Sequence, residues 1–268
     1  MDLLTIGRSG PAVTDLQRLL CRRGFRTPID GVFGQATETA VRAFQSAVDL
    51  VADGIASVKT LTALRGGDST DLLGHSDMVR GAARLAVDVA SVYAVNAVES
   101  AGSGFFKGVV RILYERHQMR RQLAANRPDL DVSRLQAQHP NLVNTSAGGY
   151  VGNDGEWSRL YLARQIDERS ALEATSWGAF QIMGYHWKRL GYPSVFEFAA
   201  LMQRSESAQL DAFVRFIETD PALHASLKRR DWARFARIYN GAGYAKNQYD
   251  TKLASAYARH VAVYGAAA

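Results

Sequence analysis

Apolar residues return at helical spacing through most of the chain. Val13, Leu16, Leu19 and Leu20 form one stripe, and Ala40, Val41, Phe44 and Val48 form another. Around them runs an imperfect repeat: Asp30-Gly-Val-Phe-Gly-Gln-Ala-Thr37 aligns with Asp53-Gly-Ile-Ala-Ser-Val-Lys-Thr60 at an offset of 23 residues. Asp-Gly makes a tight turn, and the threonine begins or enters the helix that follows. Gly24 closes the helix before the first turn. The pattern predicts a three-helix unit over residues 1–66 whose two turns share one design. The next stretch, Gly66-Gly-Asp-Ser-Thr-Asp-Leu-Leu-Gly-His-Ser-Asp77, is rich in Gly, Ser and Asp, and residues 67–77 read as a linker.

A second, larger domain is expected over residues 78–268. Ser76 or Asp77 can cap its first helix and Asp88 a second, so residues 78–100 read as two packed helices. Val95 and Val98 mark the last turns of the second, and Gly102 and Gly104 stop it. Phe105–Tyr114 is β-branched and aromatic, as in a short strand or hairpin, and Glu115 starts a helix. Residues 126–157 are loop-rich, and their aromatics among glycines, Tyr150 and Trp157, suit the wall of a sugar groove or the edge of a core. From Trp157 the pattern is helical, as in Leu160, Ala163, Ile166 and in Leu210, Phe213, Val214, Ile217. The fold class is therefore mainly α, with a minor β-hairpin in the second domain.

Composition narrows the function. The 268 residues are 47% hydrophobic, enough for two unequal domains with real cores. The net charge of +6 divides as +2 in residues 1–66 and +4 in the rest, so no basic tail exists. Such a balance favours an anionic partner such as bacterial wall polymer. No recognition helix, zinc-finger spacing or aromatic-basic platform points to nucleic acid. The N-terminus lacks the basic and apolar regions of a signal peptide, and no stretch reads as a membrane-spanning helix. Cys21, the single cysteine, reads as a small helix residue. The six histidines include no His-x-x-x-His pair, so neither a metal nor another cofactor is expected.

One carboxylate stands out. Glu99 ends the apolar helix at the mouth of what would be a groove with apolar walls. Burial there would raise its pKa, letting it donate a proton near neutral pH. A solvated glutamate near a helix end is the plainer alternative.

Family likeness strengthens both halves. Gly10, Val13, Leu16-Gln17, Leu20, Gly24-Phe25, Asp30-Gly31, Phe33-Gly34, Thr37, Ala40-Val41, Phe44-Gln45, Asp53-Gly54 and Thr60 together resemble the bacterial peptidoglycan-binding domain of the three-helix type. The resemblance implies wall binding through the groove beside the turn of Asp30, Gly31, Phe33 and Gly34. The second turn departs from the family pattern, with Ala56-Ser57 where Phe or Val before Gly is usual. A helical packing unit without a ligand is the alternative.

In the second domain, Glu99-Ser100 resembles the catalytic Glu-Ser of goose-type lysozymes and soluble lytic transglycosylases. Ser176–Gly184 and Ile238–Tyr244 resemble two further segments of that set, in the family's order. The wider text is similar to a phage-type N-acetylmuramidase domain. Its carrying residues include Ile112–His117, His139–Asn144, Gly148–Tyr150, Gln209–Phe213 and Tyr239–Tyr249. The resemblance implies a lysozyme-like modular phage endolysin in which Glu99 protonates the oxygen leaving MurNAc.

By the same resemblance Ser100, Tyr239 and Asn240 orient the carboxyl or the substrate N-acetyl group, and Gln181 bonds backbone or sugar. Ser100 and Gln181 fit an ordinary helix-end or loop hydrogen bond equally well. A second carboxylate is harder to find, because residues 100–114 contain no Asp or Glu. Glu115 comes next, either to position water or as a plain helix N-terminal carboxylate. Two rivals stay open: a lytic transglycosylase leaving a 1,6-anhydro end, and a non-catalytic wall-binding or virion structural protein. Peptidoglycan is the expected partner, with no nucleic acid and no stable membrane insertion, and the protein is expected to be a monomer. It is expected to gather in the host cytoplasm, pass through a separate pore, and act on periplasmic peptidoglycan.

Overall fold

The computed structural model describes residues 3–100 and 103–265. The chain packs as two compact units, one of Met1–Ala94 with Ser255–Ala268 and one of Val95–Ala254. Their division falls inside a helix and not in the 67–77 segment.

In the first unit, α1 (Pro11–Arg22), α2 (Gln35–Ala47) and α3 (Val58–Leu64) bury Val13, Leu16, Leu20, Val41, Phe44, Leu61 and Leu64 in one core. Val48 does not join them, because α2 stops at Ala47 and leaves Val48 exposed. The repeat has a physical basis. Gln17 donates to Asp30 Oδ1 at 2.9 Å and accepts the Gly31 amide at 2.9 Å. Gln45 does the same with Asp53 and Gly54, also at 2.9 Å each. Gly31 and Gly54 have φ of 73° and 77°, the left-handed turn that glycine adopts without strain. Phe33 and its counterpart Ala56 are both fully buried. Cys21 is a free, half-buried thiol.

The Gly/Ser/Asp-rich segment is docked. Leu73 is buried, and Asp49 accepts the Ser76 amide at 2.8 Å and its hydroxyl at 2.6 Å. Helix α4 (His75–Leu85) starts after Gly74, not at Ser76 or Asp77, and Asp77 instead reaches back to the Gly74 amide at 2.9 Å. Asp88 does cap α5 (Val89–Glu99), accepting the Ser91 amide at 2.6 Å. The end of α14 (Tyr249–Tyr264) completes this unit. Tyr93, His75, His260 and Tyr264 form a ring cluster there. Tyr93 Oη accepts the Ala52 amide at 3.2 Å, and the Tyr264 hydroxyl donates to the Ala52 carbonyl.

The second unit opens with an antiparallel hairpin, β1 (Phe105–Phe106) and β2 (Val109–Val110), as the pattern predicts. Next, β3 (Ile112–Tyr114) leads into α6 (Arg116–Asn126). The loop-rich region contains a short helix, α7 (Val132–Gln138), capped by Asp131, and α8 (Asn153–Ile166) begins ahead of Trp157. Asp154 and Glu156 in its first turn suit the positive end of the helix dipole. After α9 (Glu168–Glu173) the helical expectation fails. Here β4 (Thr175–Trp177) pairs antiparallel with β3, and β5 (Ile182–Met183) pairs with β4. Then α10 (Val195–Arg204), α11 (Glu206–Glu218), α12 (Pro221–Lys228) and α13 (Trp232–Asn240) close the unit. Leu210, Phe213, Val214 and Ile217 on α11 are all buried.

His260 supplies a test of the first unit. Burial, with Arg42 and Arg259 adding to it, lowers its pKa from 6.5 to about 4. The folded chain therefore binds fewer protons than the unfolded chain between those values. His260 favours folding fully above pH 6.5, and that contribution fades as pH falls toward 4, a change of about 3 kcal/mol. Urea melts across this range should show stability falling with pH, and His260→Phe should remove that share of the loss.

Candidate active site

Glu99 is the last residue of α5, and the helix brings it there through a buried turn in which Val95 is 1% exposed. Gly102 lies outside the described residues, so the helix stop expected there has no structural counterpart to compare. Asn240, the last residue of α13, donates from Nδ2 to Glu99 Oε1 at 2.9 Å across 141 residues of sequence. Burial raises the Glu99 pKa above the ordinary carboxylate value, and the Asn240 hydrogen bond pulls it partly back. The group is thus set to hold a proton where an ordinary glutamate has lost it.

Tyr239 lies close enough for the Glu99 charge to help burial push its own pKa up. Its hydroxyl donates to the Phe180 carbonyl at 3.0 Å, which ties α13 to the β4–β5 turn. Gln181 braces that turn. It accepts the Ser176 hydroxyl at 2.8 Å, donates to the Gly178 carbonyl at 2.7 Å, and sits at φ 51°, a costly conformation for a non-glycine residue. Both ends of the Gln181 amide are therefore spent on the fold. Ser100 continues the helical pattern, its amide bonded to the Asn96 carbonyl at 3.0 Å.

Two residues that pattern reading assigned no site role hold these pieces. Glu206, 1% exposed at the start of α11, accepts the Gly104 amide at 2.7 Å and the Ser103 hydroxyl at 3.1 Å. Gln209, one turn later, accepts the Ala179 amide at 2.8 Å. A Cβ on Gly104 would lie 1.9 Å from the Gln209 amide oxygen, so a larger residue there would push Gln209 off its bond to Ala179. Backbone bonds complete the arrangement: Arg111 donates to Gly104 at 2.8 Å and accepts from Gly178 at 2.8 Å. The only sequence signals were Gln209's place in the family-like set and the acidic first turn of α11.

Glu115 occupies a different cluster. It is the N-cap residue of α6, yet its side chain makes no cap bond. Its carboxylate instead accepts the Tyr150 hydroxyl at 2.8 and 3.0 Å and lies 3.1 Å from His117 Nδ1. Trp157 is committed elsewhere, donating to the Val110 carbonyl at 2.9 Å with its ring edge-on to Trp177. In the first unit, Asp30 is exposed and Gly31 is buried, while Phe33 is 0% exposed. Phe33 therefore builds the core and cannot touch a ligand; Gly34 is the N-cap residue of α2. No group of His, Cys, Asp or Glu among the described residues is arranged to hold a metal ion.

Chemically, the arrangement offers a half-buried carboxyl with a raised pKa and one amide donor fixing its orientation. A buried carboxylate with a raised pKa carries a linked stability cost. The neutral form is favoured fully below the ordinary value of 4.5, and the advantage is lost as pH rises through the raised one. Glu99→Gln should therefore melt a few degrees above the parent chain at pH 8. Calorimetry from pH 8 to pH 4 should show that gap closing.

Known proteins resemble this chain along most of its length. Residues 88–261 match the N-acetylmuramidase family, and residues 9–64 match the peptidoglycan binding domain family. The crystal structure of Burkholderia AP3 phage endolysin is 50% identical, covering 98% of this chain and 100% of its own, with a TM-score of 0.93. No curated protein sequence matches the chain. The chain belongs to the N-acetylmuramidase family and carries a peptidoglycan-binding domain ahead of its muramidase domain.

Proposed function

We propose that the protein is a phage endolysin that cuts the MurNAc–GlcNAc linkage of peptidoglycan with Glu99 as general acid. The observation that carries this reading is the Glu99 carboxyl, held by Asn240 and raised in pKa by burial. A protonated carboxyl there can give its proton to the glycosidic oxygen as the bond breaks and positive charge grows on the sugar ring. Asn240 sets the direction of that proton. Tyr239 and Gln181 act at one remove, by fixing α13 and the β4–β5 turn. Ser100 is proposed as a substrate contact beside the acid.

Glu115 is the second carboxylate of the proposal, oriented by Tyr150 and His117. It would position the water that completes hydrolysis. The first 66 residues would hold the enzyme on the wall and raise local substrate concentration without joining the chemistry. The 67–77 stretch connects them to the catalytic residues 78–268. The protein would work as a monomer, made in the host cytoplasm and released through a separate pore to periplasmic peptidoglycan.

Digestion of purified sacculi, with products read by mass, tests the assignment. Reducing MurNAc ends are expected from the parent chain, and Glu99→Gln should lower the rate at least about 100-fold. Anhydro ends, lighter by one water, would make the enzyme a transglycosylase. Glu115→Gln should lower kcat about 10- to 100-fold with the melting temperature retained. Unchanged kcat would confine Glu115 to a structural role.

A further inference from the structure

The wall-binding module, residues 1–66, has no aromatic surface with which to hold a sugar. Residues 1–66 contain no Trp or Tyr and three Phe, at 25, 33 and 44. Phe33 and Phe44 are 0% and 2% exposed, and Phe25 packs edge-on against Phe44 with ring centres 5.4 Å apart. All three are used in or against the core. Neutral sugar rings are gripped chiefly by laying their C–H faces on flat aromatic rings. That means of recognition is missing from this module.

What the module offers is charge. Beside the first Asp-Gly turn lies an open groove of about 540 Å³, lined by Ser9, Thr14, Asp15, Arg18, Asp30 and Val32 among others. The Asp30 carboxylate is exposed, and hydrogen bonds from the Val32 amide and Gln17 hold its pKa below the usual range, so it stays ionised. Both bonds fall on Oδ1, with no bond to Oδ2 among those of the described residues. Asp15 and Arg18 form a loose pair at 3.5 Å, with side chains 70% and 56% exposed. Such a surface pair contributes little, so either partner can turn to a ligand at small cost. The groove thus presents two carboxylates to an ammonium group and one guanidinium fork to a carboxylate.

From this we infer that the groove binds the peptide part of the wall, a short zwitterionic stem with a free ammonium and carboxylate, and not the glycan strand. The inference rests on the reading of residues 1–66 as the wall-binding module. Asp15 and Arg18 are the specificity residues, while Asp30 serves both the turn and the ligand. The second Asp-Gly turn is less suited, because Asp53 is half-buried and desolvation pushes its pKa up.

Pelleting of the full chain, carrying Glu99→Gln to prevent digestion, tests this with two substrates. One is intact sacculi; the other is the same glycan stripped of peptides by an amidase and fixed to beads, because strands without cross-links no longer sediment. Asp15→Ala and Arg18→Ala, both at exposed positions, should each weaken binding to intact sacculi at least 5-fold. On stripped glycan they should change nothing. The released stem peptide should compete with intact sacculi for the parent chain and shift module resonances in an NMR titration. If both variants pellet with intact sacculi as well as the parent, and the peptide neither competes nor shifts resonances, peptide recognition is wrong while wall binding stands. If the parent itself fails to pellet with intact sacculi, the wall-binding reading falls and takes the peptide assignment with it.

Discussion

A carboxyl group that must keep its proton near neutral pH needs a dry site, and a dry carboxyl needs a partner that does not ionise it. At Glu99 partial burial raises the pKa, and the neutral amide of Asn240 pulls it back only in part. A lysine or arginine in that place would fix the position equally well but would pull the pKa down. Much of the muramidase unit can be understood as the means of bringing two helix ends, 141 residues apart, to 2.9 Å.

Those means are mostly polar and mostly buried. Glu206 and Gln209, one turn apart on α11, reach the Gly104 segment and the β4–β5 turn respectively. Arg111 joins the same two segments through its backbone, and Tyr239 ties α13 to Phe180. Around these bonds the Phe180 ring stacks on Phe213 at 4.5 Å, and Phe213 meets Tyr239 edge-on. The apolar contacts supply the cohesion, and the hydrogen bonds select one arrangement among those that would bury similar area.

The wall-binding domain shows how surroundings change a repeated unit. Gln17 with Asp30-Gly31 and Gln45 with Asp53-Gly54 make the same hydrogen bonds at the same lengths. Yet the Asp30 pKa is lowered and the Asp53 pKa raised. Asp30 stays in water, where its hydrogen bonds dominate; Asp53 is half-buried, and desolvation outweighs the same bonds. The neighbouring Ala52 is clasped on both its amide and carbonyl by Tyr93 and Tyr264. The first turn is the more exposed of the two.

Local periodicity by itself determined the helices of the wall-binding domain, the helix ending at Glu99, the hairpin after it and the buried face of α11. In each, residues within one or two turns decide the outcome, so the pattern is legible before folding. Resemblance added the pairing of Glu99 with Asn240 as a candidate, but not its distance or direction. Strands β4 and β5 were not legible. They are three and two residues long, lie in a stretch of helical pattern, and exist because β3 offers an edge some 60 residues away in sequence. The start of α4 after Gly74 depends on Asp77 reaching back to the Gly74 amide, while Phe33, in the turn beside the expected groove, is core. Glu115 read either as a water-positioning group or as a helix-start carboxylate, and only the arrival of Tyr150 from a distant loop made it part of a bonded cluster. Sequence determined what each segment could form locally; long-range polar contacts and burial decided which side chains meet and which of them keep their protons.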